Sequence, residues 1–527
     1  MTSEVNKTLM QLGQRAEQQD PSTLVQTFVD VGPLFTLLSA RGHQVIYGRR
    51  GTGKTHALRY LVETRKQAGE LALYLDLRTI GSAGGLYADE SVSIAERSTR
   101  LLLDVLEAIH SGLVDFALQD DAPCKPEALP LLDSLADEIA SVRVVGTVQI
   151  ETRDAEAREI EDSSKATGGI SQTGPSMKIA TGSSRKAVTA NEVRSVEAGV
   201  REHRVHFGAL TRALQRVTAA MGVGHIWVAL DEWSAIPIDL QPMLADLLRR
   251  AIFPVNGWTV KIGAIELRSR FIVPGEGGNY QGIELGADAS ANLDLDDYMV
   301  FGNDSDKAQA FFQELLFRHV HALLSKIGKG FETSEQFVRG VFTQQRAFNE
   351  LVRAAEGVSR DAINIVGQAA QRADASLISI EHVRSGARLW YQRDKEPAVP
   401  DDARALLNWI VDEVIKNRQA RAFLLQQGAE AHHLISRLFD FRVLHILRKG
   451  MSTKDEPGVR FNVYGLDYGC YVQLLATHSA PKQFLPGIEE LNVDSEDFVQ
   501  VPMDDYRSIR RAVLDLSAFE KSKTAAS

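Results

Sequence analysis

Cysteine is nearly absent from the chain, which has only Cys124 and Cys470 among 527 residues. Two cysteines are too few for a disulfide framework or a cysteine-rich metal site. We therefore expect two free thiols in a reducing compartment. Long apolar runs are absent as well: no stretch approaches the roughly 20 apolar residues that cross a bilayer, and the polar N-terminus lacks the core of a signal peptide. These absences predict a soluble, cytoplasmic protein with no membrane partner.

The chain also lacks an excess of positive charge. It has 59 basic and 69 acidic residues, which give a formal net charge of −10. This balance does not indicate a nucleic-acid-binding protein, although a local basic face can exist within an acidic total. Apolar residues make up 44% of the chain, which is enough for ordinary cores, and the length predicts roughly three domains. Charge alone leaves the partner open.

The stretch 48–55, with the sequence GRRGTGKT, is the most informative one in the chain. It fits the pattern G-x-x-x-x-G-K-[ST], and its flanks supply the context that this pattern needs. A short apolar run at 44–47 predicts a buried parallel strand before it. After Thr55 the apolar residues recur at helical spacing. A glycine-rich loop between a strand and a helix is typical of a phosphate-binding loop.

The residue types in this loop suit a triphosphate. Its glycines let backbone N–H groups approach the anion closely, and the following helix adds its positive N-terminal end. Lys54 is expected to contact the β- and γ-phosphates, and the Thr55 hydroxyl to ligate Mg²⁺. The predicted nucleotide-binding residues are Gly48, Arg49, Arg50, Gly51, Thr52, Gly53, Lys54, Thr55 and His56.

A second motif follows in the segment HIWVALDEW at 225–233. Its apolar run predicts a buried strand whose carboxyl end presents Asp231 and Glu232, where ligands bind in open α/β sheets. This is the Walker B arrangement. Asp231 is expected to hold Mg²⁺ together with Thr55, and Glu232 to act as the general base that draws a proton from the attacking water. The sequence therefore predicts ATP and Mg²⁺ as cofactors.

The next predicted strand, TVKIGAIE at 259–266, brings Glu266 to the same carboxyl edge. Arg268 and Arg270 follow it at once. An arginine on the rim of one subunit can reach the γ-phosphate held by its neighbour, which predicts a homo-oligomer assembled through the nucleotide sites. Solvated arginines at a strand end are the equal alternative.

The remaining pattern divides the chain into regions. A polar extension at 1–27 precedes an α/β core at 28–303, a parallel P-loop sheet with helices on both faces. Within that core, the stretch at about 145–204 is polar and of mixed charge, which predicts an insertion that is flexible or hairpin-like. Residues 304–396 have helical spacing and predict a lid. Within the core, turn residues at 274–292 predict a loop, and a further strand is expected between 293 and 301. The spacing at 406–425 and 431–447 predicts helices, and 459–475 predicts two strands around a turn at Gly465. Helices followed by such a hairpin predict a winged-helix-like domain at 401–520.

The order of these motifs resembles the AAA+ ATPases, and among them the origin-recognition-complex-like and archaeal initiator group. The motifs that carry the resemblance are GRRGTGKT at 48–55, WVALDE at 227–232, the strand that ends at Glu266, and GVSRD at 357–361. They cover roughly residues 28 to 395. The first two motifs are specific to NTPases, and the other two are weaker.

The resemblance assigns roles to the weaker motifs. It places Glu266 at the sensor-1 position, where the family usually has Asn or Thr, and Arg360 at the sensor-2 position of the lid. Ser359 is expected to cap the helix that carries Arg360. The SRF sequence at 269–271 is similar to the arginine-finger motif of clamp-loader relatives and implies a catalytic role for Arg270.

Two functions remain open on this basis. The first is an ATP-hydrolysing AAA+ protein that assembles with nucleotide and acts on DNA through the insertion and the C-terminal domain. The second is an NTP-driven regulatory or defence switch whose C-terminal domain binds a protein partner, which fits its slight excess of acidic residues. A non-enzymatic scaffold would require a defective site, and none of the core hydrolysis residues is missing.

Overall fold

The computed structural model describes most of the chain. The described residues are 2–13, 19–30, 32–80, 87, 89, 91–140, 147–150, 197–200, 207–275, 278–296, 305–418, 420, 422–428, 432–452, 458–476 and 513–526. The strands are β1 (Gln44–Tyr47), β2 (Leu71–Asp76), β3 (Thr147–Ile150), β4 (Glu197–Val200), β5 (Ile226–Asp231), β6 (Trp258–Ala264), β7 (Ile272–Pro274), β8 (Tyr280–Gly282), β9 (Ser290–Asp294), β10 (Ala422–Gln426), β11 (Leu444–Ser452) and β12 (Arg460–Leu466).

The helices alternate with these strands in the first half of the chain and dominate the second. They are α1 (Thr2–Met10), α2 (Pro21–Thr27), α3 (Leu34–Leu38), α4 (Lys54–Gln67), α5 (Ile94–Ala117), α6 (Ala128–Ala140), α7 (Phe207–Ala220), α8 (Gln241–Ala251), α9 (Ser305–Leu324), α10 (Ser334–Val341), α11 (Gln345–Ala355), α12 (Ser359–Ala373), α13 (Ile380–Trp390), α14 (Asp401–Ile410), α15 (His433–Asp440), α16 (Tyr468–Tyr471) and α17 (Leu516–Ala526). Two π-helical segments, Tyr391–Lys395 and Val411–Asn417, continue α13 and α14.

The core is a five-stranded sheet in the order β2-β5-β6-β1-β9, and every pair in it is parallel. Both faces are covered, which is why β5 and β6 are apolar and buried along their length. Trp227 and Ala229 of β5 belong to the cluster that includes α4. Val228 and Leu230 point the other way, into the cluster formed with α5, α6, α7 and α8. The predicted α/β P-loop fold is confirmed.

The helical region beyond this sheet, α9 to α13, has a continuous apolar core. Phe312, Phe337 and Phe348 are fully buried in it. The N-terminal helix α1 packs on α12 in this region. Its Asn6 side-chain amide donates to two backbone carbonyls that follow α12, those of Asp374 at 2.7 Å and Ser376 at 2.9 Å. The polar N-terminal extension thus contains a helix docked on the lid.

The C-terminal unit, defined as residues 401–476, is built around an antiparallel sheet in the order β10-β12-β11. We expected helices to continue to residues 425 and 447, but the structure has β10 and β11 at these positions. Gly465 was expected to form a turn between two strands; it lies within β12 instead, opposite His445. A side chain at Gly465 would meet Leu447 at 3.0 Å, so glycine lets the two strands pack closely.

A winged helix needs two helices between its first two strands, in a helix-turn-helix arrangement. Between β10 and β11 the described residues contain α15 alone. The winged-helix assignment therefore stays a prediction.

Two further details differ from the sequence expectations. The last strand of the core sheet lies at 290–294, earlier than the predicted 293–301. The segment 274–292, expected to be a loop, includes the β7–β8 hairpin. The residues of the predicted insertion between β3 and β4 lie outside the described part of the chain, and these two strands pair with each other. Among the described residues, no helix has the length and hydropathy to cross a membrane.

Candidate nucleotide-binding site

The loop between β1 and α4 adopts a backbone that depends on glycine. Gly51 and Gly53 have φ angles of 87° and 107°, in the left-handed region. A Cβ at Gly51 would lie 2.9 Å from the Arg360 Cβ atom, so the lid approaches the loop more closely than any side chain would permit. The Arg360 backbone N–H also donates to the Gly51 carbonyl at 3.0 Å. The start of α12 is thereby fixed to the phosphate-binding loop.

Lys54 closes the loop on itself. Its Nζ donates to the carbonyls of Gly48 at 2.7 Å and Arg49 at 2.9 Å. Burial lowers the pKa of Lys54, although the nearby carboxylates of Asp231 and Glu232 oppose this shift. The ammonium group thus lies at the N-terminal end of α4 with carbonyl dipoles as its closest partners. Such a group is suited to an anion that enters the loop.

The Walker B residues meet the loop at the carboxyl edge of the sheet. The Thr55 hydroxyl donates to Asp231 Oδ2 at 2.6 Å, and Tyr74 donates to the same oxygen at 2.8 Å. The other oxygen, Oδ1, accepts the backbone N–H of Glu232 at 2.8 Å. Asp231 is 1% exposed, so these bonds fix its carboxylate.

A hydroxyl beside a carboxylate provides the oxygen ligands that Mg²⁺ prefers. Among the described residues there is no group of three or more His, Cys, Asp or Glu side chains that could hold a metal ion. Thr55 and Asp231 are therefore the residues that could hold Mg²⁺ here, with phosphate and water as its further ligands. This fits the usual binding of Mg²⁺ through substrate phosphates.

Residues 50–56 of the loop line a pocket, and Glu232 lines it as well. The backbone of Glu232 lies in the left-handed region, with a φ angle of 59°. This conformation is uncommon for a residue other than glycine and is found preferentially at functional sites. Burial raises the pKa of Glu232, and the neighbouring Asp231 carboxylate adds to the effect. The Arg78 guanidinium lies 3.6 Å from its Oε1 atom. A carboxylate with a raised pKa is a better proton acceptor near neutral pH.

The far end of the pocket is apolar and lies between the first helices and the lid. Its lining side chains are those of Phe28, Val29, Leu34, Phe311, Leu315 and Ile363. Two histidines, His56 and His319, also line it, with ring centroids 6.3 Å apart. Burial lowers the pKa of both, to about 4 for His319. An apolar slot next to a phosphate-binding loop has the chemistry expected for a nucleotide base.

The tautomers of these two histidines follow from their partners. His56 Nε2 lies 2.8 Å from the Leu24 carbonyl, and His319 Nδ1 lies 2.8 Å from the Leu315 carbonyl. A carbonyl only accepts, so each of these nitrogens carries the proton. The other ring nitrogen of each neutral histidine is left as an acceptor.

Other residues expected in the site lie elsewhere. The Glu266 side chain forms an ion pair with Lys449 of the C-terminal unit. Arg268 lies 3.4 Å from Asp440 Oδ2, in the same unit. Arg270 is exposed, and its backbone N–H donates to the Gln241 side chain at 2.7 Å.

The predicted nucleotide-binding residues of the loop do not all face the pocket. Arg50, Gly51, Thr52, Gly53, Lys54, Thr55 and His56 line the pocket. The Arg49 side chain is 2% exposed and turns away toward Asp296, whose Oδ1 accepts from its Nε at 2.9 Å. Ser359 lines the pocket with Arg360 but is the first residue of α12, and the cap position belongs to Val358. The expected capping role of Ser359 was wrong.

Sequence reasoning missed three side chains of the site: Tyr74 and Arg78 beside Asp231 and Glu232, and His319 at the apolar end of the pocket. Tyr74 and Arg78 belong to the segment LALYLDLR, whose polar residues at the end of a predicted strand were a usable signal. Asp76 of this strand pairs in register with Asp231. His319 is far along the chain in an ordinary helical pattern, and nothing in that pattern distinguishes it.

Comparison with known proteins places this geometry in context. A family model described as ORC-CDC6-like matches residues 13–67, which include the phosphate-binding loop and α4. No curated protein matches the chain. Among solved structures, the Aeropyrum pernix ORC1 protein in complex with DNA is similar over 85% of this chain and 93% of that chain, with 15% identity and a TM-score of 0.32. The family match confirms the resemblance to AAA+ proteins of the origin-recognition-complex group.

Proposed function

We propose that this protein binds and hydrolyses ATP with Mg²⁺ and uses the nucleotide to control assembly on DNA. The observation that carries the nucleotide part is the meeting of Lys54, the Thr55–Asp231 pair and Glu232 at one edge of the sheet, beside a slot lined by apolar side chains. The resemblance to the origin-recognition group supports the DNA part.

The reaction assigns one task to each group. The loop N–H groups and Lys54 would hold the β- and γ-phosphates, and Thr55 and Asp231 would hold Mg²⁺, which would neutralise charge on the phosphate oxygens. Glu232 accepts a proton from the attacking water, while the oxygen of that water bonds to the γ-phosphorus. The bond from that phosphorus to the bridging oxygen breaks, which yields ADP and inorganic phosphate. Arg360 lines the same pocket from the lid and would contact the same phosphates.

Assembly through the nucleotide sites requires a cation that can reach a neighbouring subunit. Arg270 is exposed at the rim, whereas Arg268 is already paired with Asp440. Arg270 is therefore the better candidate for a residue that completes the site of an adjacent copy. Mass photometry with and without ATP, on the wild type and Arg270→Ala, tests this role. Loss of ATP-dependent oligomers in the variant is the expected result.

The DNA part is tested by binding at several salt concentrations with ATP and Mg²⁺ present. Contacts to DNA phosphates release counterions, so affinity should fall steeply as salt rises. An absence of binding to single and double strands at low salt removes DNA from the function. An ATPase assay on the same preparation tests the enzyme part separately.

One observation favours the second function, an NTP-driven switch that binds a protein partner. Two charged residues of the C-terminal unit face the protein's own core: Asp440 is near Arg268, and Lys449 is near Glu266 and Asp294. This surface is thus occupied by intramolecular ion pairs. Detectable ATPase activity together with a lack of DNA binding would support the switch over the DNA-bound assembly.

A further inference from the structure

A connected set of buried charged and polar side chains lies outside the nucleotide pocket. It consists of Arg49, His445, Asp467, Lys395 and Asp361, and each of them is 3% exposed or less. We call this set the buried relay. Its members come from the phosphate-binding loop, the lid and the C-terminal unit, separated by up to about four hundred residues along the chain.

The relay begins at Arg49, whose guanidinium contacts three parts of the molecule. Its Nε donates to Asp296 after β9 at 2.9 Å. Its Nη2 donates to the Glu356 carbonyl, at the end of α11, at 2.7 Å. Its Nη1 contacts His445 Nδ1 on β11. One side chain of the phosphate-binding loop therefore joins the core, the lid and the C-terminal unit.

The next step is His445, which has a defined tautomer. A guanidinium only donates, so Nδ1 accepts from Arg49 and the proton lies on Nε2. That N–H donates to Asp467 Oδ2 at 3.1 Å. Burial lowers the pKa of His445, and the Arg49 charge adds to this effect, which keeps the ring neutral as the tautomer requires.

Lys395 forms the following link, at the end of the π-helical segment after α13. Its ammonium contacts Asp467 and lies 2.7 Å from Asp361 Oδ2. Arg442 donates to the other Asp361 oxygen at 2.8 Å. Burial alone lowers the pKa of Lys395, but the two carboxylates outweigh burial and raise it. The lysine is thus a cation shared between the lid and the C-terminal unit.

The last member of the relay, Asp361, is again connected to the phosphate-binding loop. Asp361 directly follows Arg360, whose backbone N–H donates to Gly51. The C-terminal unit therefore contacts the loop by two routes: through His445 to Arg49, and through Asp467, Lys395 and Asp361 to the start of α12. The close packing continues at Gly469, where a Cβ would lie 2.3 Å from Tyr391.

Such a network responds sharply to displacement. Buried charges are tolerated only while every partner is in place, because a single missing partner leaves an uncompensated charge in a medium of low polarity. Docking of the C-terminal unit is therefore favoured in one arrangement and opposed in intermediate ones. Both ends of this arrangement are residues adjacent to those that contact phosphate.

We propose that the buried relay makes the C-terminal unit part of the nucleotide site, with Lys395, His445 and Asp467 as positioning residues for the phosphate-binding loop and Arg360. This inference rests on the proposed nucleotide binding. Its consequence is that docking of the C-terminal unit strengthens nucleotide binding, and a bound nucleotide strengthens docking by the same factor.

The test compares Lys395→Met with Arg437→Met in the full-length protein. Both variants replace a cation that is ion-paired to an aspartate, but the Arg437–Asp402 pair is exposed and lies within the C-terminal unit. ATP affinity, measured by calorimetry with Mg²⁺, should fall roughly 10-fold or more in Lys395→Met, within the range typical of coupled sites. Arg437→Met should bind ATP as the wild type does.

The reciprocal measurement distinguishes positioning from general loss of structure. Hydrogen exchange in β11 and β12 should slow on addition of ATP in the wild type and in Arg437→Met. In Lys395→Met this ATP-dependent protection should be lost, while protection of β5 and β6 in the core is retained. If the Lys395 variant fails to fold, Asp467→Asn, which keeps size and hydrogen-bonding capacity, replaces it in both measurements.

The outcomes separate the two proposals. A wild type that binds no ATP overturns the proposed function. A wild type that binds ATP, with unchanged affinity and unchanged ATP-dependent exchange in the Lys395 or Asp467 variant, overturns the coupling and leaves the proposed function intact.

Discussion

Two lysines, the partly buried Lys54 and the fully buried Lys395, illustrate the difference between the nucleotide pocket and the interface of the C-terminal unit. Lys54 has backbone carbonyls as its hydrogen-bond partners, and burial lowers its pKa. Lys395 contacts the carboxylates of Asp361 and Asp467, which raise its pKa in spite of burial. The same side chain therefore has opposite pKa shifts in the two positions, because carbonyl dipoles compensate a charge less fully than carboxylates do.

This difference in pKa shift distinguishes a lysine that is available to a ligand from one that holds parts of the fold together. The Lys54 charge is incompletely compensated by the protein, so an arriving phosphate gains a strong partner at little cost to the fold. The Lys395 charge is already compensated, so it has nothing left to offer a ligand and serves to join parts of the chain. Substituting the two lysines should therefore affect different properties, ligand binding for Lys54 and stability for Lys395.

The largest effect is expected on stability, from Lys395→Met. Removal of one partner from a buried ion pair typically costs about 3–5 kcal/mol, because the remaining charge is left unpaired. Asp361 keeps Arg442 as a second partner, which places the expected cost near the lower end. Urea unfolding without nucleotide measures it. Lys54→Met should change the free energy of unfolding much less, and equal losses in both variants would contradict the contrast.

The second effect is on binding, from Lys54→Ala. Charge-assisted hydrogen bonds contribute about 1.5–3 kcal/mol each, and each 1.4 kcal/mol is about tenfold in affinity. Loss of the only lysine in the loop should therefore weaken ATP binding by roughly 100-fold or more. Calorimetric titration checks this. Tight ATP binding by the variant would count against the assignment of the loop.

A third effect separates hydrolysis from binding. Glu232→Gln keeps the size of the side chain and one acceptor oxygen but removes the charge that draws a proton from water. Hydrolysis should fall by roughly 100-fold or more, as expected for a general base. ATP affinity should be retained, because Thr55 and Asp231 are unchanged. A phosphate-release assay that gives equal rates for the variant and the wild type would remove Glu232 from the mechanism.

The sequence sufficed for the phosphate end of the pocket because the motifs there are local. The loop at 48–55 and the strand end at Asp231–Glu232 each follow from a few neighbouring residues, and parallel strands bring such ends to one edge. The interface could not be predicted in this way. Arg49 contacts His445 and Lys395 contacts Asp467, contacts that depend on the docking of whole units, and a single sequence contains no periodic signal for them.

The same reasoning explains the errors in the C-terminal unit. The apolar spacing at 406–425 and 431–447 predicted helices, and helices do form in the first part of each segment. Tertiary pairing placed β10 and β11 at their ends. Short apolar runs fit both structures until their partners are known. Gly465 suggested a turn, yet it supports close packing within β12.

The fourth effect concerns pH and involves two histidines, His319 of the nucleotide pocket and His43 just before β1. Burial lowers the pKa of His43 and of His319 to about 4. The unfolded chain takes up these protons near pH 6.5, before the folded chain does, so stability is complete above this pH and is lost as the pH falls toward 4. At pH 5.5 each of the two should contribute a loss of about 1 kcal/mol.

Urea unfolding at pH 7.5 and 5.5 measures this loss, and His319→Leu should reduce the difference by one histidine's share. An unchanged difference in the variant would show that His319 is not held neutral. The carboxylates of the buried relay do not interfere with this measurement, because the pKa values of Asp361 and Asp467 are lowered and these groups titrate at more acidic pH.

The smallest effect is expected from Lys449→Met, which sharpens the contrast with Lys395→Met. Lys449 also joins the C-terminal unit to the core, through Glu266 and Asp294, but its side chain is 41% exposed. Water and salt screen such a pair, so exposed ion pairs contribute about 0–1 kcal/mol. Urea unfolding should place Lys449→Met within about 1 kcal/mol of the wild type, and added salt should shrink that difference. A loss as large as that of Lys395→Met would mean that the number of ion pairs between the units, and not their burial, determines how firmly the C-terminal unit is held.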